Sequence, residues 1–211
     1  MGQTYCIPFE SYAEDLFVEK RSKFTGRLWH VTTPEQATEK IKEMREKHWD
    51  AAHNCWAYIL RDGNIMRYSD DGEPQGTAGM PILEVLRHEG LVDVCCVVTR
   101  YFGGILLGTG GLVRAYTKGA QLAVAAAGVQ QMRIFSVLLI ACPYNLLGVV
   151  QQVLQGQDCS VEDIDYGADV TLTVTQPEGM LDILNQALAD ATAGTVYAEV
   201  METKFMGRRV K

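Results

Sequence analysis

The residues of this chain with the most chemistry in them fall in three short segments between His53 and Arg114. The first is His53-Asn54-Cys55-Trp56, where strand alternation puts His53 and Cys55 on one face and Asn54 and Trp56 on the other. His53 is a candidate general base or ligand, or simply a hydrogen-bonded histidine capping a strand. The second is Ser69-Asp70-Asp71-Gly72-Glu73-Pro74. Its carboxylates could hold a hard cation or activate water. Tight turns use the same dipeptides, because Asp bonds its own backbone and Gly accepts a positive φ. The spacing is not that of a calcium loop, the segment alone favours the turn, and no metal or cofactor is assigned. His53, Asp70, Asp71 and Glu73 are the catalytic candidates.

The third segment runs from Arg100-Tyr101-Phe102-Gly103-Gly104 to Leu107-Gly108-Thr109-Gly110-Gly111-Leu112. An apolar strand delivers a cation and aromatic rings at its end, and a glycine-rich loop then opens a helix whose first amides lack partners. That arrangement makes an anion pocket with few lysines. Arg100, Tyr101, Gly103, Gly104, Gly108, Thr109, Gly110, Gly111 and Arg114 are therefore the candidates for binding phosphate or nucleic acid, with Tyr101 or Phe102 available to stack on a base. A glycine-rich turn also serves close packing alone, and spacing does not separate the two readings. The segment is neither a P-loop nor a complete dinucleotide fingerprint. No G-x-S-x-G elbow and no His-Glu-x-x-His occurs.

The elements around these segments read in order. Residues 12–20 and 23–31 alternate as a hairpin. Thr33, Pro34 and Gln36 open a helix carrying Ala37, Ile41, Met44 and His48 at helical spacing. His53–Leu60 is a strand turning at Asp62-Gly63-Asn64 into Ile65–Tyr68. A helix over Gln75–His88 is expected to be interrupted near Gly79 and Pro81. Leu91–Thr99 is a continuous apolar strand, and Leu112–Ala127 is a helix ending at Gly128. From residue 130 the order is strand (Arg133–Cys142), helix (Tyr144–Leu154), strand (Cys159–Tyr166), strand (Val170–Thr175), helix (Glu178–Ala189) and strand (Thr195–Lys204), a β-α-β-β-α-β unit of ferredoxin-like type. The fold class is α+β, with domains expected at 1–128 and 129–211.

Length and composition suit two ordinary globular domains: 211 residues, 47% hydrophobic and 21% charged. Lys and Arg number 14 against 16 Asp and Glu in residues 1–128, and 5 against 10 in residues 129–211. Both halves are acidic, which opposes indiscriminate attraction to phosphate backbones. A local basic strip remains at Lys20-Arg21-Ser22-Lys23 and Arg27. The six cysteines follow no repeated spacing and read as buried thiols. No apolar run approaches a membrane span and no signal-peptide layout opens the chain, so a cytoplasmic location without membrane contact is expected.

Taken together, Arg21-Ser22-Lys23-Phe24, His53-Asn54-Cys55-Trp56-Ala57-Tyr58, Ser69–Glu73 through Pro81-Ile82-Leu83, and Val98–Thr117 resemble the IMPACT/YigZ family, in its order. The resemblance implies a first domain with the ribosomal-protein-S-five-domain-two-like β-α-β sandwich also found in domain IV of elongation factor G. It implies a ferredoxin-like second domain similar to domain V of that factor. It further implies translational control, the role of eukaryotic members, which carry an extra N-terminal protein-binding domain.

The function expected is a translation-associated regulatory factor, non-catalytic, binding RNA or the ribosome through an anion-binding cleft in the first domain. One alternative is an enzyme acting on a phosphorylated or nucleotide-like small molecule. Another is an adaptor that meets a protein partner through the C-terminal domain.

Overall fold

In the computed structural model, which describes residues 4–211, residues 5–131 with 208–211 form one compact unit and 132–207 a second. The sequence places the division at Gly128 or within the next few residues; these units part inside a strand, after Gln131. The first unit contains β1 (Tyr5–Pro8), β2 (Tyr12–Glu19), β3 (Ser22–His30), α1 (Pro34–Lys47), β4 (His53–Leu60), β5 (Ile65–Ser69), α2 (Gly79–His88), β6 (Val94–Tyr101) and α3 (Thr109–Ala127). Its sheet has the order β2-β3-β6-β4-β5, with each neighbouring pair antiparallel.

The central strand β6 explains both faces of this sheet. Successive strand residues point to opposite sides. Cys96 and Val98 join Phe24, Leu28, Ile82, Leu86, Tyr116 and Ala120 in one core. Cys95 and Val97 join Trp29, Ile41, Met44 and Tyr58 in another. Helices α2 and α3 therefore cover one face and α1 the other, and a strand buried on both sides reads as an unbroken apolar run. Small residues bring α3 very close: a Cβ on Gly26 of β3 would lie 2.1 Å from the Gly119 carbonyl oxygen of α3. That fit fixes the height of α3 over the strands.

Several boundaries differ from the sequence reading for local reasons. Gly79 and Pro81 do not interrupt α2; they lie in its first turn, where a missing N–H removes no helical bond. The strand expected from Leu91 starts at Val94, after positive φ at Gly90 and Asp93. Helix α3 starts three residues early, within the glycine segment, and stops at Gly128, whose φ is 68° and whose amide donates to the Val124 carbonyl at 2.9 Å.

The second unit takes most of β7 (Val129–Cys142), then α4 (Leu147–Gln155), β8 (Ser160–Tyr166), β9 (Val170–Pro177), α5 (Leu181–Thr192) and most of β10 (Ala198–Arg209). The strands lie in the order β10-β7-β9-β8. A βαββαβ chain with its first and third strands adjacent is the split βαβ arrangement expected. Its core gathers Leu138, Ile140, Val150, Leu172, Leu184 and Leu188. Among the described residues, no helix is long and apolar enough to cross a membrane.

Candidate functional site

Strands β4 and β6 bring His53 and Arg100 opposite one another as register partners, both directed to the α2–α3 face. The loop between β5 and α2 folds back over them, and its acidic residues organise it. Asp70 accepts the amides of Ala78 at 3.0 Å and Gly79 at 2.8 Å on one oxygen, and that of Gly76 at 2.9 Å on the other. It thereby caps α2 from eight to nine residues upstream. Asp71 accepts the Asn54 amide at 2.7 Å and Arg45 at 2.6 Å. Its carbonyl accepts from His53 Nδ1 at 2.8 Å. Gly72 sits at φ 89°, and a Cβ there would lie 3.4 Å from the His53 ring. Asp70 and Asp71 are thus occupied in shaping the turn, and Glu73 is the carboxylate that reaches the cleft.

Glu73 is the hub of a buried network. Its Oε1 accepts from Arg100 Nη1 at 2.6 Å and from the Tyr116 hydroxyl at 2.7 Å. The ion-paired side chains of Arg100 and Glu73 are only 6% and 3% exposed. A pair this deeply buried holds only because each charge meets its opposite, and the Tyr116 hydroxyl adds a further hydrogen bond to the carboxylate. His53 Nε2 lies 3.8 Å from Glu73 Oε2. The guanidinium of Arg100 lies 5.6 Å from the Phe24 ring centre and 5.4 Å from that of Phe102, within cation–π range. Burial, then Cys55 and Glu73, push the Tyr116 phenol far above its ordinary range, so it stays a donor. Burial likewise pushes the Cys55 thiol up, and its Sγ donates to the Asp70 carbonyl at 3.0 Å. A thiol in that setting is structural, not a nucleophile.

Around this network lies a cleft of ≈ 550 Å³, with His53, Glu73 and Arg100 on one side and Phe102, Leu107 and Leu112 among its apolar walls. Beside it is a smaller depression of ≈ 210 Å³, lined by Lys20, Arg114 and Lys118, with Glu19 as its one carboxylate. Leu107 lines both. Among the described residues, none of these three cations forms an ion pair; the Lys118 ammonium rests 4.6 Å from the centre of the Phe17 ring. Lys20 and Arg21 form the two-residue turn between β2 and β3 at φ 44° and 66°. Gly103 packs on that turn so tightly that a Cβ would lie 2.0 Å from the Arg21 carbonyl carbon.

Over the whole of its length, 211 residues, the chain is 35% identical to the IMPACT family member YvyE of Bacillus subtilis, covering 97% of that protein. The chain belongs to the IMPACT family. The IMPACT family member YigZ of Escherichia coli is 36% identical over 87% of this chain and 91% of its own length. The Impact N-terminal domain matches residues 20–124, and a domain of unknown function, DUF1949, matches 140–195. A crystal structure described only as that of a hypothetical protein aligns with a TM-score of 0.59 at 33% identity, over 96% of this chain and 99% of that one.

Within this IMPACT fold the residues singled out by sequence part company. Arg100, Gly108 and Thr109 line the cleft with His53 and Glu73, while Gly111 and Arg114 line the basic depression. Gly110 lies between them in the first turn of α3. Gly103 and Gly104 shape the connection after β6, Gly104 at φ 83°. Tyr101 goes elsewhere: next to Arg100 on a strand, it points to the opposite face, where its hydroxyl accepts from His48 Nδ1 at 2.9 Å and donates to Asp50 at 3.1 Å. Phe102 is the aromatic ring at the cleft. Tyr116 and Lys118 are additions. The signal for them was a hydroxyl on the buried Ala- and Gly-rich face of α3, and a second cation four residues after Arg114.

Proposed function

We propose that this IMPACT family member is a translation-associated regulatory factor that binds RNA, free or on the ribosome, through the cleft and basic depression of its N-terminal unit. The observation that carries the reading is the gathering of Lys20, Arg114 and Lys118 around one depression at the opening of α3. The chain carries a net charge of −7, so its overall field repels nucleic acid and attraction has to be local. The unpaired amides in the first turn of α3 add partial positive charge at the same place. Arg100 is already neutralised by Glu73, which leaves phosphate to the outer cations. Translational control is the role that resemblance implies for eukaryotic members of the family, and an RNA-binding unit suits it.

Co-sedimentation with ribosomes across a salt series tests this. Binding should weaken as salt rises and should be weaker for Arg114→Ala and for Lys20→Ala than for the unaltered chain. Absence of co-sedimentation at low salt, or binding indifferent to both substitutions, would remove the basis of the reading.

A further inference from the structure

The sheet of the second unit ends in two edges of opposite character, β8 on one side and β10, paired with β7 alone, on the other. Strand β8 carries Glu162, Asp163 and Asp165 and is irregular between Val161 and Asp163. Like charges and a bulge are devices that keep a strand edge from pairing. Strand β10 carries neither a charge run of one sign nor a proline over its 12 residues. Residues 199–205 are all exposed, with Val200 at 45%, Met201 at 60% and Phe205 at 45%. An edge this long and this apolar offers its backbone donors and acceptors to another strand. Among the described residues no strand lies along its outer side.

The side chains of this edge identify the strand that fits it. Ala198 belongs to the core under α4 and α5, so alternation puts Val200, Glu202, Lys204 and Met206 on that face and Met201, Thr203 and Phe205 on the other. Val200-Met201-Glu202-Thr203-Lys204-Phe205-Met206 has the same chemistry read from either end: apolar, apolar, charged, Thr, charged, apolar, apolar, with the two charges opposite in sign. Laid antiparallel against a second copy with Thr203 on the twofold axis, Glu202 faces Lys204 of that copy. Met201 then faces its Phe205, and Val200 its Met206. Opposite charges and apolar pairs across strands each stabilise a sheet, whereas like charges destabilise it. A register shifted by two residues in one direction sets Glu202 against Glu202, and in the other Lys204 against Lys204. Within one chain Glu202 and Lys204 pair at 2.6 Å with both side chains about half exposed, where they can also reach a second copy. Equal faces meet in this register, so α4 and α5 of both copies lie on one side of the joined sheet.

We propose that the chain forms a twofold dimer by antiparallel pairing of β10 with β10 of a second copy, centred on Thr203. One strand a side is a small interface, so the dimer dissociates on dilution. Sedimentation velocity of the full chain over a concentration series tests it: the mass rises from 23.4 kDa toward twice that value. Lys204→Glu and Glu202→Lys each set like charges opposite one another on both sides of the axis, and each weakens the dimer by roughly tenfold or more. The double variant Glu202→Lys with Lys204→Glu restores opposite charges and recovers the dimer. Mixing the two single variants in equal amounts does the same, and a single variant that had lost its fold could not be rescued in this way. A single species of 23.4 kDa at every concentration overturns the proposal. A dimer that both single variants leave intact also overturns it, as does one that neither the double variant nor the mixture restores.

Discussion

Replacing Glu73 with alanine removes the acceptor for the most deeply buried cation in the N-terminal unit. Arg100, whose side chain is 6% exposed, would keep its charge while its Nη1 joins Nε without a partner. Breaking a buried pair from one side costs about 3–5 kcal/mol. The Tyr116 hydroxyl also loses its acceptor, so the upper part of that range applies. Against a typical domain stability of roughly 5–15 kcal/mol, this is a large fraction. With a urea slope of about 2 kcal/mol per M, the midpoint falls by roughly 2–2.5 M. All three tryptophans, Trp29, Trp49 and Trp56, lie in this unit, so tryptophan fluorescence in a urea titration follows its unfolding directly. The double substitution Glu73→Ala with Arg100→Met should recover much of the loss, because no unpaired charge stays buried. A cost below about 1 kcal/mol for Glu73→Ala, or a double variant no more stable than the single, would refute the claim that the pair is buried and coupled.

Gly26→Ala should lower stability by about 1–3 kcal/mol, seen as a lower melting temperature, because its methyl would press on the Gly119 carbonyl of α3. Exchanging the Lys20-Arg21 turn for Asn-Gly, which suits positive φ at both positions, should raise thermal stability while weakening RNA binding. Tyr116 should not ionise in the folded chain. Its folded pKa is raised above the unfolded value by burial, then by Cys55 and Glu73, so its contribution is full below about pH 10 and is lost as pH rises beyond it. An alkaline titration by ultraviolet absorbance should show this phenol ionising only with unfolding.

What was legible in the sequence was local. The Thr33 cap, with its side chain accepting the Gln36 amide at 3.3 Å, and Gly128 at the end of α3 were readable because each cap lies within four residues of what it satisfies. The doubly buried strand β6 announced itself as a continuous apolar run. The start of α2 is hidden in the sequence because its cap comes from Asp70, outside the helix, and Gly79 and Pro81 alone look like breaks. Strand β1 carries no clear sequence signal: it is four residues long and contains Pro8. The candidate site followed the same rule. Residue type alone points to His53, Glu73 and Arg100, but their arrangement joins residues 27 and 43 positions apart, Arg100 and Tyr116 with Glu73. Hence sequence alone shows Arg100 as an open phosphate clamp and gives Tyr116 no distinguishing mark. Adjacency groups Tyr101 with Arg100, although strand alternation separates them.

The most direct test of the central claim is the salt dependence of binding to a single-stranded RNA. Three cations at the depression, each displacing one counterion, give a slope of log K against log salt near −2, from about −0.7 per contact. Arg114→Ala should make that slope shallower by about 0.7. A salt-independent affinity, or a slope unchanged by Arg114→Ala, would contradict phosphate binding at the opening of α3.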